Sequence, residues 1–251
     1  MTNRACGVRI LLSFFIALVL QLELTGRSAS ADDSSESLKI YQTEFHQAIR
    51  EFNSSNYDSA YDHFMKSGDA IEPQNKKFAA FSHLMAMDVL RVKLSLHQLN
   101  SNQIINAMAY IDSEIIPNIN RAESRDLWGK AKFYSGVFRI FLKDAEARDV
   151  SNTRDDGIFS EMMVARTEFI DALDCISKKD NPLLWSMIAY QLVGIESVLG
   201  VYFKDRSELL HAKSLSEDLL TYYSGVGDDG KAQQVRSRLA EIDKNLKQFQ
   251  N

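Results

Sequence analysis

The residues that could do chemistry in this chain are five histidines, one cysteine outside the N-terminal stretch and a run of acids near the middle. The histidines are His46, His63, His83, His97 and His211; no two stand four apart and no H-E-x-x-H occurs, so the helical zinc-protease arrangement is excluded. His46 and His63 belong to successive amphipathic segments and could meet Glu44 or Asp62 around a metal, although surface or half-buried histidine is the simpler expectation. The acidic run 149–157 invites a calcium loop. An EF-hand starting at Asp149 would need glycine where Arg154 stands and glutamate where Ser160 stands, so it is not one. Cys175 has no histidine near it in sequence, and neither G-x-S-x-G nor a glycine-rich phosphate loop is present. The expectation is a non-catalytic protein with no cofactor and no metal.

The N-terminus carries an address. Arg4 and Arg9 precede an apolar run over residues 10–20, and Ala29-Ser30-Ala31 stands just before Asp32 and Asp33. That order of charge, short apolar core and A-x-A site predicts a signal peptide over residues 1–31. The run is too short for the roughly 20 residues of a membrane span, so no transmembrane segment is expected in the mature chain. Removing 1–31 takes away Arg4, Arg9, Arg27 and Glu23, two net positive charges, so the formal charge of −5 becomes −7. A chain that acidic, with no basic patch, is not expected to bind nucleic acid. Cys175 is then the one remaining cysteine, so no intrachain disulfide can form in the oxidising compartment of an exported protein, periplasmic or extracellular. An intermolecular disulfide through Cys175 stays open.

What must position any site is a set of amphipathic helices. Residues 32–37 are acidic and serine-rich and predict a disordered lead-in. From there apolar residues recur at three-and-four spacing: Leu38, Tyr41, Phe45, Ala48, Ile49 and Phe52, then, after the Asn53–Asn56 break, Tyr57, Ala60, Phe64 and Ser67. Asn53-Ser54-Ser55 also fits a glycosylation acceptor in a eukaryotic source. Helix pairs are predicted over about 38–73, 76–117, 124–178 and 183–224, with Ser101 and Ser124 as N-caps, a charged linker over 143–157 and an amphipathic cap helix over 229–249. No run alternates β-branched and polar residues as a strand would. The class is all-α, a solenoid of stacked antiparallel helix pairs with a C-terminal capping helix, occupying 38–251.

The second half reads as one pair written twice. Trp128 leads to Gly136 and Leu142, and Trp185 leads to Leu192, Leu199 and Gly200; the second helices carry Ala165, Phe169, Ala172 and Ala212, Ser216, Leu219. Ala60, Ala107, Ala165 and Ala212 are separated by 47, 58 and 47 residues, and Pro73, Pro117 and Pro182 all follow second helices. On these residues the chain resembles the tetratricopeptide repeat family, in particular a bacterial exported variety in which Trp opens the unit and Leu-Gly follows. The units are longer than that family's, Glu114 replaces a small residue in pair two, and Ser216 replaces a large one in pair four.

The resemblance implies a concave face built by the first helix of each unit, where a protein or peptide partner binds. Its lining would be Lys130, Phe133, Val137 and Ile140 in pair three and Met187, Tyr190, Gly194 and Ser197 in pair four. The same aromatics could instead be core between helices, or mediate a homo-oligomer. The alternative function is a small-molecule pocket lined by Phe133, Phe138, Phe141, Trp185 and Tyr190; a hydrolase assembled from scattered polar groups comes third.

Overall fold

Five helices begin after an Asn or Asp whose side chain satisfies backbone N–H groups that a helix start leaves open. In the computed structural model, which describes residues 33–149 and 157–249, the order is α1 (Asp33–Asn53), α2 (Tyr57–Ile71), α3 (Lys76–Ser95), α4 (Ser101–Tyr110), α5 (Arg125–Asp149), α6 (Gly157–Cys175), α7 (Pro182–Tyr202), α8 (Arg206–Gly225) and α9 (Asp229–Gln248). Asn75 accepts from the amide of Phe78, Asn181 from Leu184, Asp205 from Ser207 and Glu208, and Asp228 from Lys231. Asn100, not Ser101, caps α4, in a reciprocal capping box with Gln103. No strand occurs among the described residues.

The chain is all-α, and its helices stack in adjacent pairs as a solenoid-like array. Residues 40–251 form one compact unit. Two boundaries differ from expectation. Helix α1 starts at Asp33, so most of the expected disordered lead-in is helical; acidic residues in a first turn favour the positive end of the helix dipole. Helix α5 runs on to Asp149, taking in half of the expected linker. The expected signal peptide, residues 1–31, and residues 150–156 of the expected linker lie outside the described residues.

The repeat alanines are the contact points. Ala60, Ala165 and Ala212 are 0% exposed and Ala107 is 4% exposed, with Phe64, Phe169, Ser67, Ala172 and Leu219 buried beside them. Small residues let backbones approach, and the aromatic fills what they leave. A Cβ on Gly136 would lie 2.8 Å from the Phe169 ring, and one on Gly200 would lie 2.8 Å from Leu209 Cγ. Ser216 fits the slot of a larger residue because its hydroxyl donates back to the Ala212 carbonyl at 2.7 Å.

Pair two departs from the others. A π-turn at Ile111–Ile115 and a 3-10 turn at Ile116–Asn118 interrupt its second helix. The extra residue in that turn moves Ile115 inward, where it is 1% exposed, and leaves Glu114 on the surface. Glu114 is therefore a register shift rather than a polar side chain forced into a contact point. Helix α4 packs on α5, and it reaches α3 through its end, where the Tyr110 hydroxyl meets Nδ1 of His83 at 3.2 Å.

Helix α7 is long and apolar enough to cross a membrane by length and composition, the one such helix among the described residues. Here it is a core helix: Trp185, Ile188, Ala189, Leu192, Val193, Ile195 and Leu199 are buried against α6 and α8.

Candidate binding groove

Four of the eight expected groove residues come together. Phe133 and Val137 from α5 and Met187 and Tyr190 from α7 line one concavity of about 210 Å³. Phe141 from α5, Gln191 from α7, Arg91 and Ser95 from α3, Tyr223 from α8, and Lys231 and Gln234 from α9 complete it. Among the first helices α3 packs directly on α5, and the concavity opens where α5 and α7 diverge.

The members play different parts. Phe133 and Val137 are buried, 1% and 2% exposed, and form the floor as core residues. Truncating Phe133 would therefore damage the fold as well as the concavity, as the core alternative for these aromatics implies. Met187 and Tyr190 are half-buried walls. Helix α9 holds Tyr190 in place: Arg238 lies over its ring at 4.7 Å and donates to its carbonyl at 3.2 Å, while the Tyr190 hydroxyl donates to Gln234 Oε1 at 3.3 Å.

The other four expected residues stand elsewhere. Gly194 is covered by Arg238, whose Nη1 would be 3.3 Å from an added Cβ. Ser197 donates to the Val193 carbonyl along its own helix at 2.6 Å, and Ile140 is half-buried outside the concavity. Lys130 lies over the rings of Phe81 and Tyr134, 5.8 and 5.7 Å from their centroids. Burial pushes its ammonium below the ordinary lysine range, with Asp88 pulling the other way. Of the alternative pocket's residues, Phe138 is wholly buried, and Trp185 is packed under Lys178 with the ammonium 4.7 Å from its ring. Only Phe133, Phe141 and Tyr190 of that set meet.

The charged residues that line the groove are Arg91 and Lys231. Arg91 Nε donates to Asp88 Oδ1 at 2.7 Å. Burial would raise the Asp88 carboxyl, but Arg91, Lys130 and hydrogen bonds outweigh it and hold it below the usual carboxylate range. Burial pushes the Tyr134 hydroxyl, their neighbour, well up. Lys231 lies 5.1 Å over the Tyr223 ring at the far wall. No carboxylate lines the concavity among the described residues. Arg91, Lys231 and Gln234 were missed from sequence because α3 and α9 read as a core helix and a polar cap. The spacing of Lys231, Gln234 and Arg238 at three and four along one face of α9 was the available signal.

Two further polar clusters lie between helices. Arg139 reaches Asp112, Glu161 and Glu168 at 2.9, 3.4 and 3.2 Å, with Ser135 Oγ 2.9 Å from Glu168. Glu196, 0% exposed, takes His211 Nδ1 at 2.8 Å and Arg166 at 3.5 Å. Burial pushes both Glu168 and Glu196 up despite their partners. His63 meets Glu44 at 2.6 Å in pair one, whereas His46 is exposed; among the described residues no group of three His, Cys, Asp or Glu could hold a metal. Cys175 is a free, half-buried thiol.

No protein-family model matches the chain, and no curated protein matches it in sequence. The fold and the groove are therefore the basis for a functional reading.

Proposed function

We propose that the chain is an exported, non-catalytic scaffold of tetratricopeptide type that binds a protein or peptide segment along the face built by α3, α5, α7 and α9. One observation carries this reading: residues from five helices converge on a single apolar concavity with Arg91 and Lys231 on its walls and no carboxylate among its lining. Met187, Tyr190, Phe141 and Tyr223 supply apolar surface, while Gln191, Gln234 and Ser95 supply donors and acceptors for a main chain. The bound segment is thus one with a bulky apolar side chain beside an acid. The volume of about 210 Å³ favours a side chain over a whole small molecule, since sites that enclose such ligands run to roughly 300–1,000 Å³.

The test is peptide display against the chain lacking residues 1–31. Selected peptides should converge on an apolar residue flanked by Asp or Glu, and their binding should weaken about tenfold or more in Lys231→Glu and in Met187→Ser. Peptides that bind both variants as well as the parent would place the ligand elsewhere, and failure to converge on any sequence would refute the peptide reading.

A further inference from the structure

At the turn between α7 and α8 a second surface stands apart from the groove. Tyr202 and Phe203 are 54% and 52% exposed, with Val201 and Val198 at 45% beside them. Phe159, at the start of α6, stacks on Tyr202 with ring centroids 3.6 Å apart, and Phe203 meets Tyr202 edge-on at 4.9 Å. Ile158, 38% exposed, extends the cluster. Three aromatic rings held against one another and still open to water form an apolar apex, where single scattered exposed residues would need no explanation.

The charges that follow the aromatics in sequence decide what the apex fits. Lys204 has a left-handed backbone, φ 55°, at the position that closes α7. That conformation favours glycine, yet it is occupied by a lysine, and the turn is closed by the amide of Asp205 donating to the Gly200 carbonyl at 2.9 Å. Lys204 and Arg206 are exposed and make no ion pair among the described residues. Of the acids that follow in the same turn, Asp205 accepts from the amides of Ser207 and Glu208 and from the Ser207 hydroxyl, and Glu208 pairs with Arg166 at 2.7 Å.

We propose that this apex docks on an anionic phospholipid bilayer, with Tyr202, Phe203 and Phe159 entering the headgroup boundary and Lys204 and Arg206 meeting lipid phosphates. Tyrosine and phenylalanine tolerate that boundary because each buries an apolar ring at the edge of hydrocarbon, and basic residues add attraction to negative lipid. A second copy of the chain fits less well, since self-pairing through the same patch would bring Lys204 and Arg206 of both copies together. The chain's overall negative charge does not oppose contact at this range, because salt screens charges more than about 10 Å away.

Vesicle co-sedimentation tests this, using the chain lacking residues 1–31, whose removal leaves the unit of residues 40–251 whole. Phosphatidylglycerol-containing vesicles should bind the protein, and pure phosphatidylcholine should bind it about tenfold less. The double variants Tyr202→Ser with Phe203→Ser, and Lys204→Glu with Arg206→Glu, should each lose about tenfold while keeping the parent's thermal melt. If the aromatic variant unfolds, the charge variant still decides. No sedimentation with either lipid overturns the proposal, as does equal binding by the charge variant. A concentration-dependent dimer abolished by the aromatic changes would assign the apex to a second copy instead.

Discussion

Gly68 lies in α2 directly against the ring of His83 in α3, and replacing it with alanine isolates the cost of a close helix contact. A Cβ at this position would lie 2.2 Å from Nε2 and 2.3 Å from Cδ2 of His83, far inside the roughly 3.5–4.0 Å of ordinary contact. The ring cannot simply swing away. It is buried, with Nε2 3.2 Å from Asp69 Oδ1 and Nδ1 3.2 Å from the Tyr110 hydroxyl. Moving it gives up two hydrogen bonds of about 1 kcal/mol each. Overpacking adds about 1–3 kcal/mol. Against these stands the helix preference of alanine over glycine, about 1 kcal/mol. The net expectation is a loss of about 3 kcal/mol for Gly68→Ala, read as a lower urea midpoint at unchanged slope.

Gly225, the last residue of α8, is the control: a Cβ there meets nothing within 4 Å, so Gly225→Ala should be neutral or stabilise by about 0.5 kcal/mol. In a His83→Ala background the cost of Gly68→Ala should largely vanish, because the clashing ring is gone. If Gly68→Ala instead stabilises the protein as Gly225→Ala does, the α2–α3 contact described above is wrong.

Phe133→Ala should cost about 3–5 kcal/mol in chemical unfolding, whereas Tyr190→Ala, half-exposed, should cost about 1 kcal/mol and leave a folded protein for binding work. Arg139→Met leaves Asp112, Glu161 and Glu168 facing one another and should cost about 3 kcal/mol, partly recovered by adding Glu168→Gln in a double-mutant cycle. Because the Asp88 carboxyl is held low in the fold, its stabilisation is present above the unfolded carboxylate value near about 4 and is lost as pH falls through the folded value. Asp88→Asn should therefore destabilise at neutral pH by about 3 kcal/mol, with the gap to the parent closing in acid melts. Glu196 has the opposite sign: its raised carboxyl means the folded state holds the proton more tightly, so its contribution improves as pH falls from the folded value toward the unfolded one. Glu196→Gln should remove that acid-side gain, measured as a difference in melting temperature between the two proteins across pH 4–7.

The all-α class, the stacking of helices in adjacent pairs and the contact alanines were legible from residue order alone. Each depends on which face of a single helix a residue occupies, and the 3.6-residue period writes that directly into the chain. Ala60, Ala165 and Ala212 could be placed at contact points before any partner helix was known. Where the local period broke, the sequence misled: the π-turn at Ile111–Ile115 made Glu114 look like an intruder, because one extra residue in a turn leaves no mark in composition.

The groove lies beyond that local code. Phe133 and Tyr190 were found through their equivalent places after Trp128 and Trp185, yet their fates differ, one a buried floor and the other a half-open wall. What separates them is the company each keeps after stacking, and α9 arrives over Tyr190 from more than forty residues further along the chain. Arg91 and Lys231 lie 140 positions apart and share a concavity because α3, α5, α7 and α9 face the same side of the stack. A period in one helix states which face is apolar; only the angles and distances between helices decide whether that face is closed by a neighbour or left open to a ligand.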